Sequence, residues 1–133
     1  MQPISGLVIT YNEAGNIRAC LESLQAVCAE IIVVDSGSTD DTVAIAKACG
    51  AKVHTQPFLG YGPQKNVGVH LCQHAWVLSL DADERLDTDA IGAIQALDLI
   101  HSPYEAYELR RKNLFHGRWV QCTAWYPDRV RRL

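Results

Sequence analysis

Trp76-Val77-Leu78-Ser79-Leu80-Asp81-Ala82-Asp83-Glu84 is a short apolar run that ends in three carboxylates within four residues. Bulky side chains over Trp76 to Leu80 suit a strand buried on both faces, the pattern of a parallel sheet. Asp81, Ala82, Asp83 and Glu84 then fall where that strand leaves the sheet, and open α/β sheets bind ligands at the carboxyl ends of their strands. In an extended chain, alternation places Asp81 and Asp83 on one side, facing a common ligand. Carboxylates this close repel, and a divalent cation with oxygen ligands relieves them. Taken alone, the same residues also read as a solvated acidic loop, so the flanking chain has to decide.

Upstream, the pattern repeats. Ile4 to Thr10 is an apolar run ending in Thr10-Tyr11-Asn12-Glu13. Ile17, Leu21, Leu24 and Val27 then recur at helical spacing within Asn16–Val27. Ile31 to Val34 is a second strand, followed by Asp35-Ser36-Gly37-Ser38-Thr39-Asp40-Asp41, turn chemistry in which Thr39 or Asp40 can cap a helix over Thr42 to Cys49. Val53 to Thr55 reads as a third strand, Gln56 to Pro63 as a Gly/Pro loop, and Gln64 to Gln73 as a third helix. Thr88 to Leu97 forms a fourth. Strands alternating with helices predict a mainly parallel, doubly wound sheet covered on both faces. Beyond Ser102-Pro103 the alternation stops. Tyr104 to Arg110 and Trp119 to Trp125 read as strands with no helix between them, expected as antiparallel additions at the sheet's end. The division is therefore a ligand-binding α/β core at 1–103 and a second segment of the same domain at 104–133.

The 133 residues suffice for one domain with a real core, and 48% hydrophobic with 20% charged residues is ordinary for a globular chain. Met1-Gln2-Pro3 running straight into a strand is not a signal peptide pattern, and no apolar run approaches a membrane span. Five cysteines without a C-x-x-C pair point to a reduced, cytoplasmic protein and away from a thiolate metal site. The net charge of −3 hides an asymmetry: residues 110–133 carry seven basic side chains against Asp128 alone. That tail suits phosphates or peripheral contact with the inner membrane surface, or it pairs with the acidic front half. No basic and aromatic platform for nucleic acid is interleaved along the chain.

Three loops converge at the strand ends. Tyr11 can stack on a base, with Asn12 and Glu13 supplying polar edges. Asp35 can accept from a pyrimidine imide N–H. Lys65 and Asn66, at the expected head of the third helix, can meet a diphosphate. Asp81 can take a ribose hydroxyl, and Asp83 a metal bridging the diphosphate. Each has a duller reading: a turn, a helix-entry cap, an exposed helix charge. Their order at the ends of consecutive core elements favours a nucleoside diphosphate linked to a further group. The first strand is not followed by the G-x-G-x-x-G of dinucleotide-binding folds, and no G-x-x-x-x-G-K-[ST] phosphate loop occurs. A D-x-D phosphatase would carry its nucleophile after an early strand, and a phospho-acceptor receiver would need an acidic pair there.

Thr10-Tyr11-Asn12-Glu13, Val33-Val34-Asp35-Ser36-Gly37-Ser38-Thr39-Asp40-Asp41-Thr42, Gly62-Pro63-Gln64-Lys65-Asn66 and Asp81-Ala82-Asp83-Glu84 together resemble the inverting family 2 glycosyltransferases of GT-A fold. The segments Phe115-His116-Gly117-Arg118 and Trp125-Tyr126-Pro127-Asp128 are similar to the bacterial branch that glucosylates the lipopolysaccharide inner core. The resemblance implies a nucleotide-sugar site at Thr10, Tyr11, Asn12, Glu13, Asp35, Lys65, Asn66, Asp81 and Asp83. It further implies Mg²⁺ or Mn²⁺ at Asp83 with Asp81 close by, a UDP-sugar donor with UDP-glucose foremost, and a glycan or glycolipid acceptor. Inverting displacement needs a general base on the acceptor side, and after Trp125 the chain offers only Asp128 as a candidate. Family members usually run longer, so the chain is expected to be part of a family domain. The competing reading is a nucleotide-sugar-binding module without transferase activity.

Overall fold

A computed structural model describes residues 3–99 and 101, together with the backbone of two later strands at 107–112 and 120–127. Ser102, Pro103, Phe115 to Arg118 and Asp128, all singled out above, lie outside the described residues, as does the division expected at residue 103. The element order is β1 (Ile4–Thr10), α1 (Ile17–Gln25), β2 (Glu30–Asp35), α2 (Thr42–Ala48), β3 (Lys52–Thr55), α3 (Tyr61–Leu71), β4 (Trp76–Asp81), β5 (Glu84–Leu86), α4 (Thr88–Gln95), β6 (Tyr107–Lys112) and β7 (Val120–Pro127).

The first four strands make a parallel sheet in the order β3-β2-β1-β4. Its central strands are apolar on both faces because both faces are covered. Ile4 and Val8 of β1, Ile31 and Val33 of β2, and Leu78 and Leu80 of β4 pack with Ile17, Leu21 and Leu24 of α1 and Ile94 of α4. The alternate residues Leu7, Ile32 and Val34 pack on the other face with Val67 of α3. This is the doubly wound arrangement expected from the sequence. On the α3 face the approach is close: a Cβ on Gly68 would lie 2.1 Å from Leu7 Cδ1, so this helix reaches β1 only because residue 68 is glycine.

Three expectations are corrected. The helix α3 starts at Tyr61, not Gln64, with Pro63 in its first turn. Proline is tolerated there because its missing N–H would have no intrahelical partner anyway. Gly60, at φ 105°, makes the sharp entry. Lys65 and Asn66 therefore sit one turn in, not at the helix head. The stretch after Asp81 is not the extended run expected from alternation: Ala82 and Asp83 form a turn into the short β5. Finally, β6 and β7 are antiparallel to each other as expected, with an irregularity between Arg110 and Arg111, but they do not extend the main sheet. They form a second sheet in the order β5-β7-β6, where β7 runs parallel to β5. Among the described residues, no disulfide involves Cys20, Cys28, Cys49 or Cys72. No helix there is long and apolar enough to cross a membrane.

Candidate active site

Strand register brings the loop-bearing ends together. Thr10 pairs with Asp35 across β1 and β2, and Ile9 with Asp81 across β1 and β4. A cavity of about 750 Å³ opens at these carboxyl ends, within the size range of ligand pockets. On its β4 side stand Asp81 and, in the turn that follows, Asp83; in the middle, Thr10, Tyr11 and Glu13; on the far side, Phe58, Tyr61 and Lys65 from the β3–α3 connection and α3. Ser36, after β2, also lines it.

Of the sequence-predicted residues, Thr10, Tyr11, Glu13, Lys65, Asp81 and Asp83 are thus assembled around one space. Tyr11 stands on the rim, 55% exposed. Thr10 lines the cavity but is only 5% exposed, and its buried hydroxyl has no hydrogen-bond partner among the described residues. Asp81 is half-buried and Asp83 exposed. The Asp81 N–H donates to Glu84 Oε1 at 2.9 Å, so the buried Glu84 fastens the turn that presents both aspartates. The Cys20 thiol lies 3.5 Å from the Asp81 carbonyl oxygen on the core side.

Asn12, Asp35 and Asn66 are not on the cavity wall. Asp35 is 1% exposed: its Oδ2 accepts from the Gly37 and Ser38 N–H groups at 2.9 and 2.8 Å, and its Oδ1 accepts from the Ser38 hydroxyl at 2.5 Å. An aspartate closing its own following turn is a common local device. Asn12 holds a left-handed conformation, φ 51°, which asparagine tolerates better than most residues. Its Oδ1 accepts from the Thr39 N–H at 2.8 Å, and its own N–H donates to Ser38 Oγ at 2.8 Å. Together with Glu13 N–H donating to Thr42 Oγ1 at 2.9 Å, these bonds strap the β1 loop to the β2 loop. Asp40 completes the strap, accepting from the Ala14 N–H at 3.2 Å and the Thr42 N–H at 3.0 Å. The Thr42 hydroxyl, donating to Asp40, holds that carboxyl below the ordinary carboxylate range, with the two backbone N–H groups adding to it. Asn66 is exposed on the outer side of α3.

The sequence reading missed Ser36, Phe58 and Tyr61. The last two rings meet edge to face with centroids 5.2 Å apart. Their only sequence signal was the presence of bulky aromatics inside a Gly/Pro-rich connection, where solvated residues are the norm.

Residues 5–102 match the family described as Glycosyl transferase family 2. The chain belongs to that family. A Rickettsia felis relative named as an uncharacterized glycosyltransferase is 44% identical over 136 residues, covering 95% of this chain and 48% of that protein. The lipopolysaccharide core biosynthesis glycosyltransferase LpsC of Rhizobium meliloti is 41% identical over 90 residues, covering 64% of this chain and 33% of LpsC. Among solved structures, Mycobacterium tuberculosis glucosyl-3-phosphoglycerate synthase, in complex with Mn²⁺, UDP and glucosyl-3-phosphoglycerate, is similar at TM-score 0.55 and 29% identity. That alignment covers 60% of this chain and 33% of the synthase. S. aureus TarS is similar at TM-score 0.61 and 28% identity, over 70% of this chain and 31% of the TarS chain. The family 2 chain spans about half the length, or less, of the curated relatives it matches. Its fold is GT-A.

Proposed function

We propose that this family 2 chain forms the donor side of a glycosyltransferase that takes a UDP-sugar, UDP-glucose foremost, and builds the lipopolysaccharide core or another cell-envelope glycan. The observation that carries the reading is the single cavity shared by an aromatic ring, two carboxylates and a cation at strand ends: Tyr11, Asp81, Asp83 and Lys65. The likeness to a synthase crystallised with Mn²⁺ and UDP supports the donor class, and the likeness to LpsC supports the acceptor class. The expected cytoplasmic location, with peripheral contact through the basic segment at 110–133, belongs to the same proposal.

The donor set fits Mg²⁺ or Mn²⁺. Asp81 and Asp83 are hard oxygen donors bordering one cavity, and among the described residues no third acidic, histidine or cysteine side chain completes a protein-only metal cluster. One or two carboxylates plus substrate phosphates is the usual way such ions are held beside nucleotides. Bound there, the cation would neutralise charge developing on the departing nucleoside diphosphate. Lys65 adds a second positive charge toward the same diphosphate. Tyr11 offers a face to the base, and the Glu84 bond to the Asp81 N–H fixes the turn before substrate arrives. The Glu13 carboxylate is engaged by the Asn16 amide at 3.0 Å. In an inverting displacement, a carboxylate opposite the diphosphate would take the acceptor's proton, and Asp128 remains the candidate.

Calorimetric titration of UDP with Mn²⁺ and with EDTA tests the site. Affinity is expected to depend on Mn²⁺, and Asp83→Asn is expected to abolish most of that dependence while Asp81→Asn weakens it less. Equal affinity in EDTA and Mn²⁺ refutes the metal role. Sugar transfer from UDP-glucose to a heptose-containing core acceptor separates a transferase from a module that only binds donor.

A further inference from the structure

The β3–α3 connection carries apolar surface that neither the core nor the motifs explain. Phe58 and Tyr61 are 54% and 74% exposed, yet both border the cavity. They are not loosely placed. Gln64, fully buried, donates through Nε2 to the Gln56 carbonyl at 2.9 Å and to Ser36 Oγ at 3.3 Å, and its Oε1 accepts from the Leu59 N–H at 3.1 Å. One side chain thus ties the end of β2, the exit from β3 and the first turn of α3. A buried amide with its donor and acceptor both satisfied rigidifies what it connects. Gln56 is anchored a second time, its N–H donating to the Asp35 carbonyl at 2.8 Å.

The sheet order gives the wall its role. With β3-β2-β1-β4, the acidic pair at and just past the end of β4 and the aromatic pair after β3 stand at opposite ends of one cavity, with Tyr11, just past β1, between them. A nucleoside diphosphate whose phosphates lie toward Asp83 has its base as the remaining flat, weakly hydrated part. Aromatic faces left open to water in a cleft gain from being covered by such a ring. We propose that Phe58 and Tyr61 form the base-side wall of the donor site, closing on the nucleobase opposite Tyr11, and that Gln64 is the positioning residue that holds this wall. The inference rests on the nucleotide-sugar reading above and deepens it.

The experiment is a calorimetric titration of UDP, and separately of pyrophosphate, both with Mn²⁺, into the parent chain and into Phe58→Ala, Tyr61→Ala, Tyr61→Phe and Gln64→Leu. The two alanine variants alter exposed side chains, so their melting curves should match the parent's. Stacking of a base on an aromatic ring is sensitive to alanine substitution by roughly 5- to 140-fold in affinity. Each alanine variant is expected to lose affinity for UDP in that range while pyrophosphate affinity stays unchanged, and Tyr61→Phe keeps both. Gln64→Leu should show the same selective loss of UDP affinity without touching the ligand, which a general destabilisation would not produce. If the parent binds UDP and both alanine variants bind it equally well, the wall is refuted and the donor site stands. Equal loss of UDP and pyrophosphate overturns the base assignment. A parent that binds neither UDP nor pyrophosphate overturns the donor-site reading itself, and this one with it.

Discussion

Thr10→Val should make the unliganded protein more stable and its nucleotide binding weaker. Thr10 is the last residue of β1 and lines the cavity, its side chain is buried, and its hydroxyl has no partner among the described residues. Valine has nearly the same shape and suits a strand equally well. The exchange therefore removes little except an unpaired polar atom. Leaving such a group buried costs about 1–3 kcal/mol, and part of that penalty is recovered when an apolar group replaces it. A gain of about 1 kcal/mol in unfolding free energy is expected from urea melts without ligand. If the hydroxyl meets a ligand polar group, the variant forfeits one net hydrogen bond, about 0.5–1.5 kcal/mol, or roughly 2- to 12-fold in UDP affinity. Thr10→Ser keeps the hydroxyl and should retain affinity while losing some stability with the methyl group. A Thr10→Val protein that is less stable than the parent, or that binds UDP as tightly, refutes the reasoning.

Gly68→Ala should destabilise despite the better helix propensity of alanine. The propensity gain is about 1 kcal/mol, but the new Cβ would meet Leu7 Cδ1 at 2.1 Å and Leu7 Cγ at 3.1 Å inside a packed layer, and overpacking costs about 1–3 kcal/mol. In a Leu7→Ala background the clash is gone, so the same change should turn neutral or stabilising by up to about 1 kcal/mol; urea melts of the cycle decide, and additivity would contradict the account. Glu30→Gln should reduce stability at neutral pH by about 1–3 kcal/mol, because its carboxylate accepts from the Ser5 hydroxyl and the Gln73 N–H at 2.6 Å each and pairs with Lys52 at 3.1 Å. Burial pushes the Glu30 carboxyl up, but these partners outweigh it and hold the group below its ordinary value of 4.5. A lowered folded value means the stabilisation is complete above 4.5 and is lost as pH falls through the folded value. The gap between parent and variant in melts from about pH 7 to about pH 3 should therefore shrink on acidification; a gap that widens would be the wrong sign.

What the sequence made legible follows from where the physics is local. The strands β1, β2 and β4 announce themselves because a strand buried on both faces must be largely apolar, and the candidate site residues lie where such runs stop. The misreadings share a cause as well. Tyr61-Gly62-Pro63 opens a helix, yet glycine and proline in a first turn look the same in sequence as glycine and proline in a loop. The three residues of β5 are too few to show a period, and two of them, Glu84 and Arg85, are charged. The partner that makes β5 a strand, β7, lies far along the chain. Within the site, a deeper ambiguity operates. Tyr11 and Asn12 are neighbours, as are Asp35 and Ser36, and in each pair one residue lines the cavity while the other binds the loop beneath it. A strand end must both present side chains to a ligand and satisfy the backbone N–H groups of the turn it enters, and short polar residues serve either need. Composition identifies the place where both jobs are done. The structure divides them, placing Asn12 and Asp40 in the straps and Asp35 in its own turn, and leaving the hydroxyl of Thr10, a residue lining the cavity, without a partner among the described residues.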